Sequence, residues 1–203
     1  MKSALIIFVR NPVLGRVKSR LAVTLGDEKA LAIYKALLYH THLITISLAA
    51  DKYIFYEDFI NNNDLWENDI YGKLLQEGDN LGSRMKNAFA YLFEKKYRKI
   101  IIIGSDCYEL SEGIINNAYD LLTENDLVVG PASDGGYYLL GMNTFISLLF
   151  DNKKWSSDSV YADTINHAKS LHYKFTSLKL LNDVDVESDI DFDKLNKLTA
   201  SSF

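Results

Sequence analysis

Apolar positions along the chain fall into short unbroken runs, separated by longer stretches in which they recur at helical spacing. Residues 4–9 are continuously apolar and rich in branched side chains, which predicts a strand buried on both faces, as in a parallel sheet. Residues 99–103 repeat that pattern and end at Gly104-Ser105-Asp106. Further strands are predicted over 52–56, 70–76, 126–129, 137–142 and 173–180. Residues 27 to about 50 lack Gly and Pro, carry apolar residues at helical spacing and begin on Asp27, so they predict one long helix. Helices are also predicted over 80–96, over 111–123 with a Ser111 cap and Glu112 in the first turn, over 158–171, and in the tail from Ser188. Strands alternating with helices predict an α/β fold with a mostly parallel sheet. No repeat, low-complexity stretch or linker interrupts the alternation, so residues 1–203 are expected to form one domain. Sheets of this kind bind ligands beyond the C-terminal ends of their strands.

Composition narrows the possible partners. The chain of 203 residues is 48% hydrophobic and 24% charged, a globular mixture. Lysine plus arginine total 22 against 27 acids, a net charge of -5, which argues against nucleic acid as the main partner. The single cysteine, Cys107, excludes an internal disulfide and a cysteine-rich zinc site. No apolar run is long enough for membrane insertion, and the start lacks the pattern of a signal peptide. A cytoplasmic enzyme is the expectation.

Candidate chemistry lies in the loops after the predicted strands. Arg10, Arg16, Lys18 and Arg20 surround Gly15 just after the first strand, an arrangement suited to a phosphate-bearing ligand. It matches neither the Walker loop nor GxGxxG, and a basic surface loop capping a helix is the structural alternative. Asp106 follows a buried strand, where a carboxylate can hold Mg²⁺ together with substrate phosphates, or can simply cap a turn. Asp134 lies in Asp134-Gly135-Gly136, which is also a good hairpin turn. In the acidic stretch 183–193, Asp183 and Asp185 suit a metal, whereas Asp189 and Asp191 suit a helix N-terminus. Gly78 and Gly82 flank a helix start and could admit a base or ribose, or only shape the turn. His40, His42, His167 and His172 form no ligand-like motif, and Cys107 has the character of a buried, inert thiol.

Taken in order, FVRNPVLGRVKSRLA, QEGDNLGSRM, IIIGSDCYEL, GPASDGGYYLLG and NDVDVESDI resemble one bacterial family. It is a GT-A-like nucleotide-diphospho-sugar transferase family, known as radical-SAM/selenodomain-associated transferases or candidate glycosyltransferases. The molybdenum-cofactor and phospholactate guanylyltransferases are related to it. The resemblance runs from Phe8 to Ile190, and GPASDGGYYLLG is its most specific piece. It implies a three-layer α/β/α GT-A fold with a nucleotide site over the first strand and a Mg²⁺ or Mn²⁺ ion. By motif matching, Arg10, Gly15, Arg16, Lys18, Arg20 and Gly82 would bind the nucleotide, Asp106 and Asp185 the metal, while Lys18, Asp106 and Asp134 would serve catalysis. The chain departs from the family at Tyr108, where Pro is usual, and at Val186-Glu187, where Thr-Pro is usual. The implied activity is metal-dependent transfer from a nucleoside triphosphate or nucleotide-sugar to a small acceptor. Glycosyl and nucleotidyl transfer both remain open, with the basic loop leaning toward nucleotidyl transfer and pyrophosphate release. A nucleotide-binding module without turnover is the alternative.

Overall fold

A computed structural model of the chain describes residues 2–151 and 153–191. The element order is β1 (Ser3–Val9), α1 (Ser19–Leu25), α2 (Asp27–Thr45), β2 (Asp51–Tyr56), β3 (Tyr71–Leu75), α3 (Leu81–Glu94), β4 (Lys99–Ile103), α4 (Glu112–Leu121), β5 (Leu127–Pro131), β6 (Tyr137–Met142), α5 (Val160–Ser170) and β7 (Phe175–Ser177). Short 3-10 turns occupy Ser147–Phe150 and Glu187–Asp189.

The strands form one seven-stranded sheet in the order β3-β2-β1-β4-β6-β5-β7. β1 pairs in parallel with both β2 and β4, β2 with β3, and β5 with β7. Among the described strands, only β6 runs against its neighbours. Alternation along β1 explains why the sheet is covered twice. Leu5, Ile7 and Val9 pack on one side with Tyr34 and Leu38 of α2 and Ile115 and Ala118 of α4. Ala4 and Ile6 pack on the other side with Met85, Phe89 and Leu92 of α3 and Ile165 and Ala168 of α5. This is a three-layer α/β/α arrangement. No helix among the described residues is long and apolar enough to cross a membrane.

Several boundaries differ from the sequence expectation for physical reasons. The segment before Asp27 forms the seven-residue α1, divided from α2 by Gly26 at φ 82, a positive φ that glycine adopts without steric penalty. α2 stops at Thr45, whose hydroxyl turns back to donate to the Thr41 carbonyl. β7 keeps only three residues, because only Phe175–Ser177 find partners along β5. Of the expected helical tail, the described part is the single turn Glu187–Asp189, and positions 192–203 lie outside the described residues.

Candidate functional site

Because β1 and β4 are parallel neighbours, the loops after Val9 and Ile103 leave the same edge of the sheet. They are tied together by Tyr34 of α2. Its hydroxyl accepts from the Arg10 backbone N–H at 2.9 Å and lies 3.2 Å from Ser105 Oγ. Burial pushes this phenol up to about 12, so it acts as a neutral strut. Asn11, almost fully buried, donates to the Phe59 carbonyl and accepts from the Asp58 and Phe59 N–H groups, which fastens the loop after β2 alongside.

Lys18 is the centre of the arrangement. Its backbone is left-handed, with φ 49 and ψ 48, a conformation that costs a non-glycine residue about 1–3 kcal/mol and persists only where surroundings enforce it. The side chain is 7% exposed, and Nζ donates to Asp106 Oδ2 at 3.0 Å and to Asp185 Oδ1 at 3.2 Å. Burial draws the amine down, but the Asp106 and Asp185 carboxylates outweigh it and hold its pKa above the ordinary lysine value. Asp185 is positioned by its own backbone. Asp189 accepts from the N–H groups of Asp185 and Val186 at 2.9 and 2.8 Å, a capping role that its place in the acidic stretch suggested. The Val184 N–H bonds the Asp106 carbonyl at 3.0 Å and draws the two acidic segments side by side.

Asp134 sits at the tip of the β5–β6 hairpin, where its carboxylate accepts from the Gly136 N–H at 2.8 Å. The hairpin anticipated from Asp-Gly-Gly therefore forms, and it opens at the same sheet edge as the ends of the parallel strands. Gly135 has φ 87, and a Cβ there would lie 2.0 Å from the Asp158 carbonyl oxygen, so only glycine lets the next segment cross so closely. Asp183 lies nearby. Burial, followed by the Asp106 and Asp134 carboxylates, pushes it up to about 8. Its Oδ1 is buried with no hydrogen-bond partner among the described residues. Cys107 is buried against the Asn182 carbonyl, and burial raises its thiol pKa, consistent with an inert role.

The three arginines behave differently from Lys18. Arg16 and Arg20 have side chains 70% and 73% exposed, with Asp58 at 3.9 Å and Asp185 at 3.4 Å. Arg10 pairs with Glu57 at 3.2 Å, and Glu57 also takes Arg84 at 3.1 Å. Each cation of the basic loop thus meets an acid, with Asp185 shared by Lys18 and Arg20 and Glu57 shared by Arg10 and Arg84. Sequence reasoning missed Glu57 and Asp58, because their role depends on β2 ending beside β1. Exposed pairs of this kind are weak and readily give way to a stronger anion.

Gly82, at the start of α3, lies under an aromatic ring. The Trp155 indole lies against it so closely that a Cβ would stand 2.1 Å from the ring. Trp155 also stacks on Phe150 at 6.3 Å. Beside it opens a cleft of about 630 Å³ lined by Asn80, Ser83, Lys86, Phe150, Asp151, Lys153 and Trp155.

The donor set suits a hard divalent cation. Among the described residues, no three His, Cys, Asp or Glu side chains converge to hold an ion alone. Magnesium-type sites need fewer, since one or two carboxylates plus substrate phosphates suffice. Asp106 and Asp185, which meet on Lys18, supply such a pair of carboxylates.

Comparison with known structures supports the fold assignment. The chain is 28% identical to a candidate nucleotide-diphospho-sugar transferase from Desulfovibrio desulfuricans G20, with a TM-score of 0.85 over 98% of this chain and 96% of that one. It is 10% identical to the 4-diphosphocytidyl-2C-methyl-D-erythritol synthase of Anaerococcus prevotii, with a TM-score of 0.59 over 98% and 96%. It is 11% identical to Rv0371c of Mycobacterium tuberculosis, solved in complex with manganese, with a TM-score of 0.56 over 97% and 99%. No curated protein matches the chain. Residues 43–157 match the family described as an uncharacterised protein conserved in bacteria, DUF2064, and the chain belongs to that family.

Proposed function

We propose that this protein is a metal-dependent transferase acting on a nucleoside triphosphate or a nucleotide-sugar, with residues 1–203 as one catalytic domain. The observation that carries this reading is the Lys18 ammonium held between Asp106 and Asp185, at the sheet edge where the basic loop after β1 emerges. Support comes from the 28% identical Desulfovibrio protein over nearly the whole of both chains, and from the manganese bound by the more distant Rv0371c.

Asp106 and Asp185 would hold Mg²⁺ or Mn²⁺, which supplies Lewis-acid charge neutralisation at the phosphates. The exposed guanidinium groups of Arg16 and Arg20 can release their weak acid partners and take phosphate oxygens in bidentate fashion. Gly15 lets the backbone of this loop approach the ligand. Asp134, at the tip of the hairpin, faces the acceptor side and serves to orient the attacking hydroxyl. In nucleotidyl transfer the acceptor oxygen attacks the α-phosphorus and pyrophosphate leaves. In glycosyl transfer it attacks the sugar carbon and a nucleoside diphosphate leaves. The arginine pair suits the larger departing charge, so nucleotidyl transfer is the favoured chemistry.

The test is product analysis. Incubation with a nucleoside triphosphate, Mg²⁺ and a panel of hydroxylated or phosphorylated acceptors should release pyrophosphate. Arg16→Ala should lower kcat more than it raises KM, because its contact strengthens as charge develops. Nucleoside diphosphate released from a nucleotide-sugar, with no pyrophosphate from any triphosphate, would assign glycosyl transfer. Tight nucleotide binding without turnover of either class would leave a binding module.

A further inference from the structure

Lys18 stands out from the other cations of its loop in being enclosed. Arg16 and Arg20 reach into solvent, whereas Lys18 turns inward through its left-handed backbone and is nearly sealed from water. Its ammonium uses one oxygen of Asp106 and one of Asp185, and Arg20 takes the second oxygen of Asp185. Both carboxylates that would receive a divalent ion are therefore already neutralised from within the chain.

An ion entering between them would meet the like charge of the enclosed Lys18 ammonium at close range. Like charges this close repel even where solvent screens them, and a divalent ion feels twice the repulsion of a monovalent one. The ammonium does not leave unaided, because it would abandon two charge-assisted hydrogen bonds. A polyphosphate on the basic loop changes the balance. It offers Lys18 new oxygens, and it brings the further ligands that a hard cation needs.

We propose that Lys18 is an internal counter-ion that keeps the Asp106–Asp185 pair closed to divalent cations until the phosphates of the substrate draw its ammonium away. Phosphate binding then precedes metal binding and is the condition for it. The proposal rests on the transferase reading only for the identity of the anion. The closure of the carboxylate pair is a property of the nucleotide-free protein.

The experiment is calorimetric titration of Mn²⁺ into nucleotide-free wild type, Lys18→Met and Lys18→Gln. The glutamine variant retains an amide donor toward the carboxylates and serves where the methionine variant does not fold. Both variants should bind Mn²⁺ about tenfold or more tightly than wild type. Adding Asp185→Asn to either should remove the gain. Equal or weaker Mn²⁺ binding in the variants overturns the proposal. A gain in Mn²⁺ affinity in the variants, together with a wild type that binds no nucleotide, would overturn the transferase reading and leave the counter-ion role standing.

Discussion

Two regions at the edge of this sheet are built on opposite plans. Around Lys18, Asp106 and Asp185 from two separate segments share one enclosed ammonium, and Asp189 fixes the backbone that carries Asp185. Around Trp155, a wide cleft is walled by Trp155 and Phe150 and edged by Lys86 and Lys153, and Lys86 is already paired with Asp151 at 2.8 Å. The first region is tight and electrostatic, and the second is open and held by aromatic packing. The difference teaches that ligand space and ligand charge have separate owners here. The aspartate cluster provides charge with little room, and the cleft provides room with little net charge. The two meet where the Tyr161 N–H bonds the Gly135 carbonyl at 2.9 Å, joining the start of α5 to the turn that carries Asp134.

The largest effect expected is at the aspartate cluster. Asp106→Asn should abolish the gain in nucleotide affinity that Mn²⁺ provides, as read by calorimetry with and without the ion. It should also cost about 1–3 kcal/mol of stability, because Lys18 loses one of two partners, and Asp106 is too exposed for the full penalty of a buried pair. Retained metal coupling in that variant would move the site toward Asp183. A smaller effect is expected at the cleft. Trp155→Ala should lower stability by about 1–3 kcal/mol in denaturant melts, since it uncovers Gly82 and one face of Phe150. Mn²⁺ binding should be unchanged, and combination with Asp106→Asn should be additive. Strong non-additivity would mean that the two regions act as one.

The smallest effect concerns pH. Burial pushes the Lys153 amine from 10.5 down to about 8. Between those values the unfolded chain binds more protons at this residue than the folded one, so its contribution to stability rises with pH across that window. Compared with Lys153→Met, wild type should therefore gain stability between pH 8 and pH 10.5, measured as the difference in denaturant midpoints. No change in that difference would show that Lys153 remains solvated.

The same contrast explains what was legible in sequence. β4 and β6 lie at the predicted residues, because short apolar runs bounded by breakers carry their own signal. α1 was invisible, since it has seven residues, no side-chain cap and an exposed Val23. Asp106 and Asp185 were singled out by position after strands, and the structure brings both onto Lys18. The enclosure of Lys18 was not legible, because four cations in one loop look alike until a left-handed backbone separates one from the rest. Tyr34 and Trp155 were equally silent. An aromatic residue in an apolar pattern signals burial, whereas its hydroxyl bond to Arg10 and Ser105, or its fit over a distant glycine, arises only in the folded chain.

The lone reversed strand also has a consequence in time. The β5–β6 hairpin pairs neighbours in sequence, Gly130 with Leu139 and Val129 with Leu140, so its contacts are local and close early during folding. The pairing of β1 with β4 joins Ile6 to Ile102 and has to wait for a long loop to close. The turn bearing Asp134 is thereby assembled before the edge it will face. By the same loop-length argument the Lys18 contact with Asp185, 167 residues away in sequence, closes over a longer loop than its contact with Asp106, 88 residues away.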